Sequence, residues 1–262
     1  MKSETVSVAG TLAWLRILAE SYSLTGDETL LRQLRTGSDA FLGRISTDGT
    51  LPADTQVALI ADKPRQDPAA TPTIRPSVTP TPATAEQRSV IRLADIDLFA
   101  IKQMIRLDAR WQTVYDRQRS ILTGAFSSAD VRLPAYAFDP VSQDYIGFSG
   151  SQPLVIMEDA LLVLQHLYEA GEPSEASLSY VRNRFLSDGA VYAQVHRATG
   201  DPVADLECTV GYASLARIAR MTDDSLLYGK ATARLVWHIA TSPRSEALGA
   251  IFQTDPDRKS VV

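Results

Sequence analysis

The chain has 262 residues, 45% of them hydrophobic and 22% charged, the make-up of a globular protein with a sizeable core. Its net charge of −5 offers no basic surface to nucleic acid or an anionic membrane. One cysteine, Cys208, excludes an intrachain disulfide framework; no run reaches the ~18 apolar residues of a membrane span, and no Walker-type or G-x-G-x-x-G phosphate loop is present.

Residues 6–23 place Ala9, Leu12, Leu15, Leu18, Ala19 and Tyr22 at three- and four-residue steps, one apolar helical face. After the turn Thr25-Gly26-Asp27, Asp27 is a good N-cap for a second helix over 27–45, with Leu30, Leu31, Leu34 and Phe41 inward. Asp48-Gly49 ends that pair. Pro64, Pro68, Pro72, Pro76, Pro80 and Pro82 follow among Thr, Ala and Ser. Prolines at that density forbid helix and sheet alike, so residues 62–87 are predicted to be an extended, disordered surface insertion. A tolerated insertion is the simpler account of it, a docking or stalk-like loop the functional one.

The second pair is predicted over 90–107 and 109–122, about Leu107-Asp108. Residues 123–155 form a long irregular connector with Pro134, Tyr136, Phe138, Pro140, Tyr145 and Phe148. Connectors of that length are functional or disordered, and the aromatics argue against disorder. The third pair spans 157–170 and 174–186 about Gly171-Glu172-Pro173, with Ser174 a plausible N-cap and Asp188-Gly189 closing it. A strand-like run over 190–195 and a turn at Gly200-Asp201-Pro202 lead to the fourth pair, 208–221 and 225–240, about Thr222-Asp223-Asp224.

With the insertion removed, the turns recur about every 50–60 residues, longer than the ~34 of common two-helix solenoid repeats. That period leaves room for an elaborate connector after every second helix. It predicts an all-α fold, an (α/α)-barrel or six-hairpin toroid of alternating inner and outer helices with short β-like connectors, as one domain over 1–262. Four pairs are visible and a closed ring needs six, so the barrel is expected to be partial. Met1 leads almost directly into a helix and Lys259-Ser260-Val261-Val262 reads as the start of another apolar element, which fits that expectation.

In such a barrel the N-terminal ends of the inner helices converge on one face. Acids stand there: Glu4, Asp95 with Asp97, and Glu158 with Asp159. Complementing the helix dipole explains Glu158 and Asp159. Asp95 and Asp97 sit inside an apolar run at i, i+2, where they cannot share one solvent face of a helix, so one is expected to be semi-buried. The three histidines, His166, His196 and His238, are dispersed, with no metal-ligand spacing. No metal and no cofactor is predicted.

Ala94-Asp95-Ile96-Asp97-Leu98-Phe99-Ala100 resembles the D-x-D-x-x-x-A element of glycoside hydrolase family 8, inverting endoglycanases with an (α/α)6 barrel. Ser3-Glu4 is similar to that family's S-E-G motif, and Asp159-Ala160 to its D-A-x-R element. The resemblance implies Glu4 as general acid, Asp159 as general base, and Asp95 or Asp97 orienting the water or the sugar ring. It implies an oligo- or polysaccharide substrate with a β linkage, and an extracellular or cell-envelope setting; a monomer is expected. Thr5 stands where the family has Gly, no Tyr follows soon after Glu4, and Leu162 occupies the Arg position. Glu158, in the first place a candidate for binding substrate, or an acid in the 139–144 loop could therefore replace Asp159 as base. Tyr136, Tyr145, Phe148 and Tyr192 offer faces for sugar rings, with packing as the simpler role of each. Two other readings stand beside hydrolysis: an eroded barrel that binds glycan or a partner in polysaccharide assembly, and an epimerase or lyase using His166 or His196.

Overall fold

The structure, a computed structural model, describes residues 7–59, 86–126, 132–147, 154–239 and 249–251. Helix α1 (Val8–Thr25) starts at Ser7, whose side chain accepts from the Gly10 N–H, and stops at Gly26 in the left-handed region (φ 67°). Asp27 caps α2 (Glu28–Leu42) by accepting from the Thr29 N–H at 2.7 Å, as its sequence position predicts. Strands β1 (Thr55–Leu59) and β2 (Glu86–Arg92) follow, then a 3-10 turn (Leu93–Asp95). Next come α3 (Leu98–Met104), α4 (Trp111–Gly124), and the short strands β3 (Ala137–Asp139), β4 (Asp144–Ile146) and β5 (Leu154–Ile156). Helices α5 (Met157–Ala170) and α6 (Glu175–Asp188), strand β6 (Gln194–His196), and helices α7 (Thr209–Met221) and α8 (Ser225–Trp237) complete the chain order.

Helices α1, α3, α5 and α7 touch in succession as an inner row, and α2, α4 and α8 pack on the outside of their own inner partners. α6 buries Leu178, Val181 and Phe185 with Leu161 and Leu164 of α5 and Tyr212 of α7. The chain is thus all-α at its centre, with the alternating inner and outer helices of an (α/α)-barrel. The first two hairpins share one core; within it Trp111 stacks on Phe41 at 6.1 Å and donates its indole N–H to Ser38 Oγ at 2.8 Å. The last two hairpins share a second core around Tyr212 and Phe185.

The connectors are more regular than their composition suggests. β1, β2, β3 and β4 form an antiparallel sheet in that order, with Thr55 opposite Val90, Ile91 opposite Phe138 and Phe138 opposite Tyr145. β5 and β6 form a separate antiparallel ribbon, Val155 opposite Val195. The helix expected over 90–107 is therefore shorter. Val90, Ile91 and Arg92 pair as strand, and α3 begins only at Leu98. An apolar run of that length suits either state, and cross-strand pairing decides it. Most of the proline-rich insertion predicted over 62–87 lies outside the described residues; its last two positions, Glu86 and Gln87, belong to β2. The strand-like run over 190–195 narrows to β6 and a bridge from Tyr192 to Glu207.

Candidate active site

At the N-terminal ends of the inner helices, an arginine that ends a strand meets two acids from different elements. Arg92 is the last residue of β2, and the 3-10 turn that follows folds back, so that Nη1 donates to Asp95 Oδ1 at 3.3 Å. The same guanidinium forks onto Asp159 in the first turn of α5. Nε donates to Oδ2 at 3.1 Å and Nη2 donates to Oδ1. Both Asp159 oxygens are engaged and its side chain is buried, whereas Asp95 is held through one oxygen at the longer distance. Burial works against the Arg92 charge, but its contacts with Asp159 and Asp95 outweigh that and raise its pKa.

Asp95 is pushed the other way. Loss of solvent raises its pKa above the ordinary aspartate value; Arg92 opposes the shift, and the charges of Asp54 and Asp159 add to it. Asp54 sits just before β1 and accepts the Val8 N–H at 2.6 Å, satisfying one of the orphan donors at the start of α1. Tyr136, half-buried, lines a recess with room for about one water together with Gly147, Ile156 and Asp159 (about 10 Å³). Its phenol pKa is raised by burial and feels the charges of Arg92, Asp159 and Asp95. Asp54, Arg92, Asp95, Tyr136 and Asp159 therefore come together at one end of the inner row.

Asp97 belongs elsewhere. It is the N-cap of α3, accepting the Ala100 N–H at 2.9 Å, and it is buried. Its other oxygen pairs with Arg16 at 3.1 Å; Arg16 also pairs with Glu169 at 2.6 Å, and Arg217 reaches Glu169 as well. Residues of α1, α5 and α7 and the N-cap of α3 thus join in one ion layer. The helix-cap role and the Arg16 partner account for the burial of Asp97, which the apolar run around it led one to expect of one of the two acids.

The remaining predicted residues divide. Glu4 and Phe148 lie outside the described residues. Glu158 is exposed on the α7 side of α5, in a recess shared with Gln194 and Cys208. Tyr145 packs on Phe138 at 5.3 Å and donates its hydroxyl to the Ile121 carbonyl at 2.7 Å. Tyr192 lines a different recess, with Tyr180 and Arg184. His166 is buried against the Ile96 carbonyl at 3.0 Å, and burial lowers its pKa. Arg92 and Asp54 were not singled out from the sequence. Arg92 had one local signal, a cation three residues before Asp95 in an otherwise apolar run, but its main partner lies 67 residues away.

No protein-family model matches the chain, and no curated protein matches it in sequence. Among solved structures it is similar to an alpha-amylase from Clostridium perfringens, with a TM-score of 0.75 and 18% identity over 94% of this chain and 65% of that one. It is also similar to an endo-beta-1,4-glucanase from Acetobacter xylinum, with a TM-score of 0.54 and 17% identity over 88% of this chain and 70% of that one. An endoglucanase from Komagataeibacter sucrofermentans matches at 0.52 and 14%, over the same shares of the two chains. At these identities the likeness is one of fold: the neighbours are (α/α)-barrel glycosidases, and this chain has their helical arrangement. The chain spans 65% of the length of the alpha-amylase.

Proposed function

We propose that this chain carries the site of a glycoside hydrolase of the family 8 kind, which inverts the anomeric centre of a polysaccharide. The observation that carries the reading is Asp95. It is a half-buried carboxyl of raised pKa, beside a fixed Arg92–Asp159 pair, where the inner helices of a glycosidase-like barrel begin.

Inverting hydrolysis needs a protonated acid at the glycosidic oxygen and an ionised base holding water, ~6.5–9.5 Å apart. Asp95 is the base in this proposal, because a carboxylate of raised pKa takes a proton more readily and only one of its oxygens is drawn to Arg92. Asp159, predicted from the sequence as base, instead fixes Arg92, since a carboxylate engaged through both oxygens has little capacity to hold a water. Glu4 keeps the role of general acid that the resemblance implies. Tyr136 offers its ring to a sugar face.

The test is the release of reducing ends from soluble α- and β-linked glucans, xylan and chitosan, with NMR of the first anomer formed. Inversion, lost in Glu4→Gln, supports the proposal; retention, or an active Glu4→Gln, overturns the mechanism. The closed grip of Arg92 on Asp159 favours a second reading, a barrel that binds glycan without turnover. Saturable oligosaccharide binding with no product on any substrate would select it.

A further inference from the structure

On the other side of the first turn of α5 lies a second recess, of about 250 Å³, lined by Ile156, Glu158, Ala193, Gln194, Leu206 and Cys208 among others. Consecutive residues of a helix point about 100° apart. While Asp159 therefore turns toward Arg92 and α3, Glu158 turns toward β6 and the start of α7. Ile156 lines both this recess and the small one beside Asp159, so the two are neighbours across β5 at the same end of the barrel. The wall between β6 and the 201–208 connector is fixed by backbone bonds: the Met157 N–H donates to the Ala193 carbonyl at 3.0 Å, and the Ala193 N–H to the Leu206 carbonyl at 2.7 Å. The recess is thus backed by ordered backbone at the mouth of the barrel.

We infer that this recess is a glycan subsite for one neutral hexopyranose, with Glu158 and Gln194 hydrogen-bonding its hydroxyls and Ile156 and Leu206 covering its carbon face. The inference rests on the proposed hydrolase reading for its place in a longer chain. The chemistry of the lining selects the ligand. Glu158 accepts and Gln194 both donates and accepts, which suits vicinal hydroxyls. Neither Lys nor Arg stands among the described residues that line it, and Glu158 and Asp159 both bear on its Cys208 wall. A uronate would be repelled there. Burial pushes the Cys208 thiol up to about 12, so that wall stays uncharged at neutral pH.

The test is calorimetric titration of the full chain with maltotetraose and cellotetraose, and with an oligogalacturonate of the same length. Glu158 and Gln194 are both exposed, and thermal melts of the variants check that they fold. Wild type should bind at least one neutral tetrasaccharide in preference to the uronate. Gln194→Ala should weaken that binding about threefold to tenfold, the worth of a hydrogen bond or two. Glu158→Gln should narrow the preference for neutral over uronate ligand. Unchanged neutral affinity in both Gln194→Ala and Glu158→Ala overturns the subsite, as does equal binding of the uronate by wild type, or no binding of any tetrasaccharide. Turnover is read separately. Hydrolysis with no effect of Glu158 or Gln194 removes the subsite and leaves the hydrolase reading standing, whereas binding that depends on them without turnover does the reverse.

Discussion

Arg92 grips Asp159 through two donors of its guanidinium, one at 3.1 Å, across 67 residues of sequence. Removing Arg92 leaves the buried Asp159 carboxylate without compensation, and removing Asp159 leaves Arg92 only its longer contact with Asp95. Either costs about 3–5 kcal/mol for full burial and less here because Arg92 is 34% exposed. Arg92→Met and Asp159→Leu should each lower stability in urea, and the double variant should recover much of the loss. Additive losses in the double-mutant cycle would mean that the pair is not coupled.

Asp97 and Asp95, two positions apart, should separate in a simple experiment. Asp97→Asn keeps a residue type that caps helices but removes the charge facing Arg16, so stability should fall by about 1–3 kcal/mol. Turnover per folded molecule should be unchanged. A selective loss of kcat in Asp97→Asn at full stability would move the chemistry down into the ion layer.

Glu207 couples stability to pH. Burial alone would raise its pKa, but hydrogen bonds from Arg234, Tyr212 and His238 outweigh that and hold it below the ordinary glutamate value. A group lowered in the folded state stabilises above its unfolded pKa, and that contribution is lost as pH falls through the folded one. Acid unfolding of wild type should therefore steepen on the acid side of the ordinary glutamate range, and Glu207→Gln should flatten that limb. Parallel acid-unfolding curves for the two proteins would contradict this.

Gly49 and Gly189 both hold left-handed backbone, at φ 84° and 74°, yet should differ in tolerance. A Cβ on Gly49 would stand 2.5 Å from the Thr113 carbonyl oxygen, where the connector meets α4, while one on Gly189 meets nothing within 4 Å. Gly189→Ala should cost about 1–2 kcal/mol from backbone strain alone. Gly49→Ala should cost clearly more, because a backbone carbonyl cannot swing aside. Equal midpoints in urea would overturn that account.

The helical hairpins were readable because each inner helix keeps an apolar face along its length: Leu12, Leu15 and Leu18 in α1, Leu161, Leu164 and Leu167 in α5, all buried. The caps at Asp27 and the stops at Gly26, Gly171 and Gly189 are local chemistry and were equally visible. The stretch from Val90 to Asp97 was not, because its conformation depends on β1 and β3, which come from distant sequence. The site shows the same division. Asp95 and Asp159 could be singled out as acids at inner helix starts, but Arg92, which joins them, and Asp54, which caps α1, act through partners 67 and 46 residues away.

Proton transfer at the proposed site turns on Asp95, and its substitution by Asn keeps the shape while removing the proton chemistry. The decisive measurement is reducing-end release by wild type and Asp95→Asn on the glucan panel, with melts taken alongside. Asp95 acts as the ionised form, so kcat/KM of wild type should fall as pH drops through its raised pKa, an acid limb displaced upward from the ordinary aspartate range. Asp95→Asn should lose at least about a hundredfold in kcat, the low end for a general base, while melting no lower than wild type. Wild-type turnover in Asp95→Asn, or no product from the wild-type chain on any substrate, would contradict the central claim.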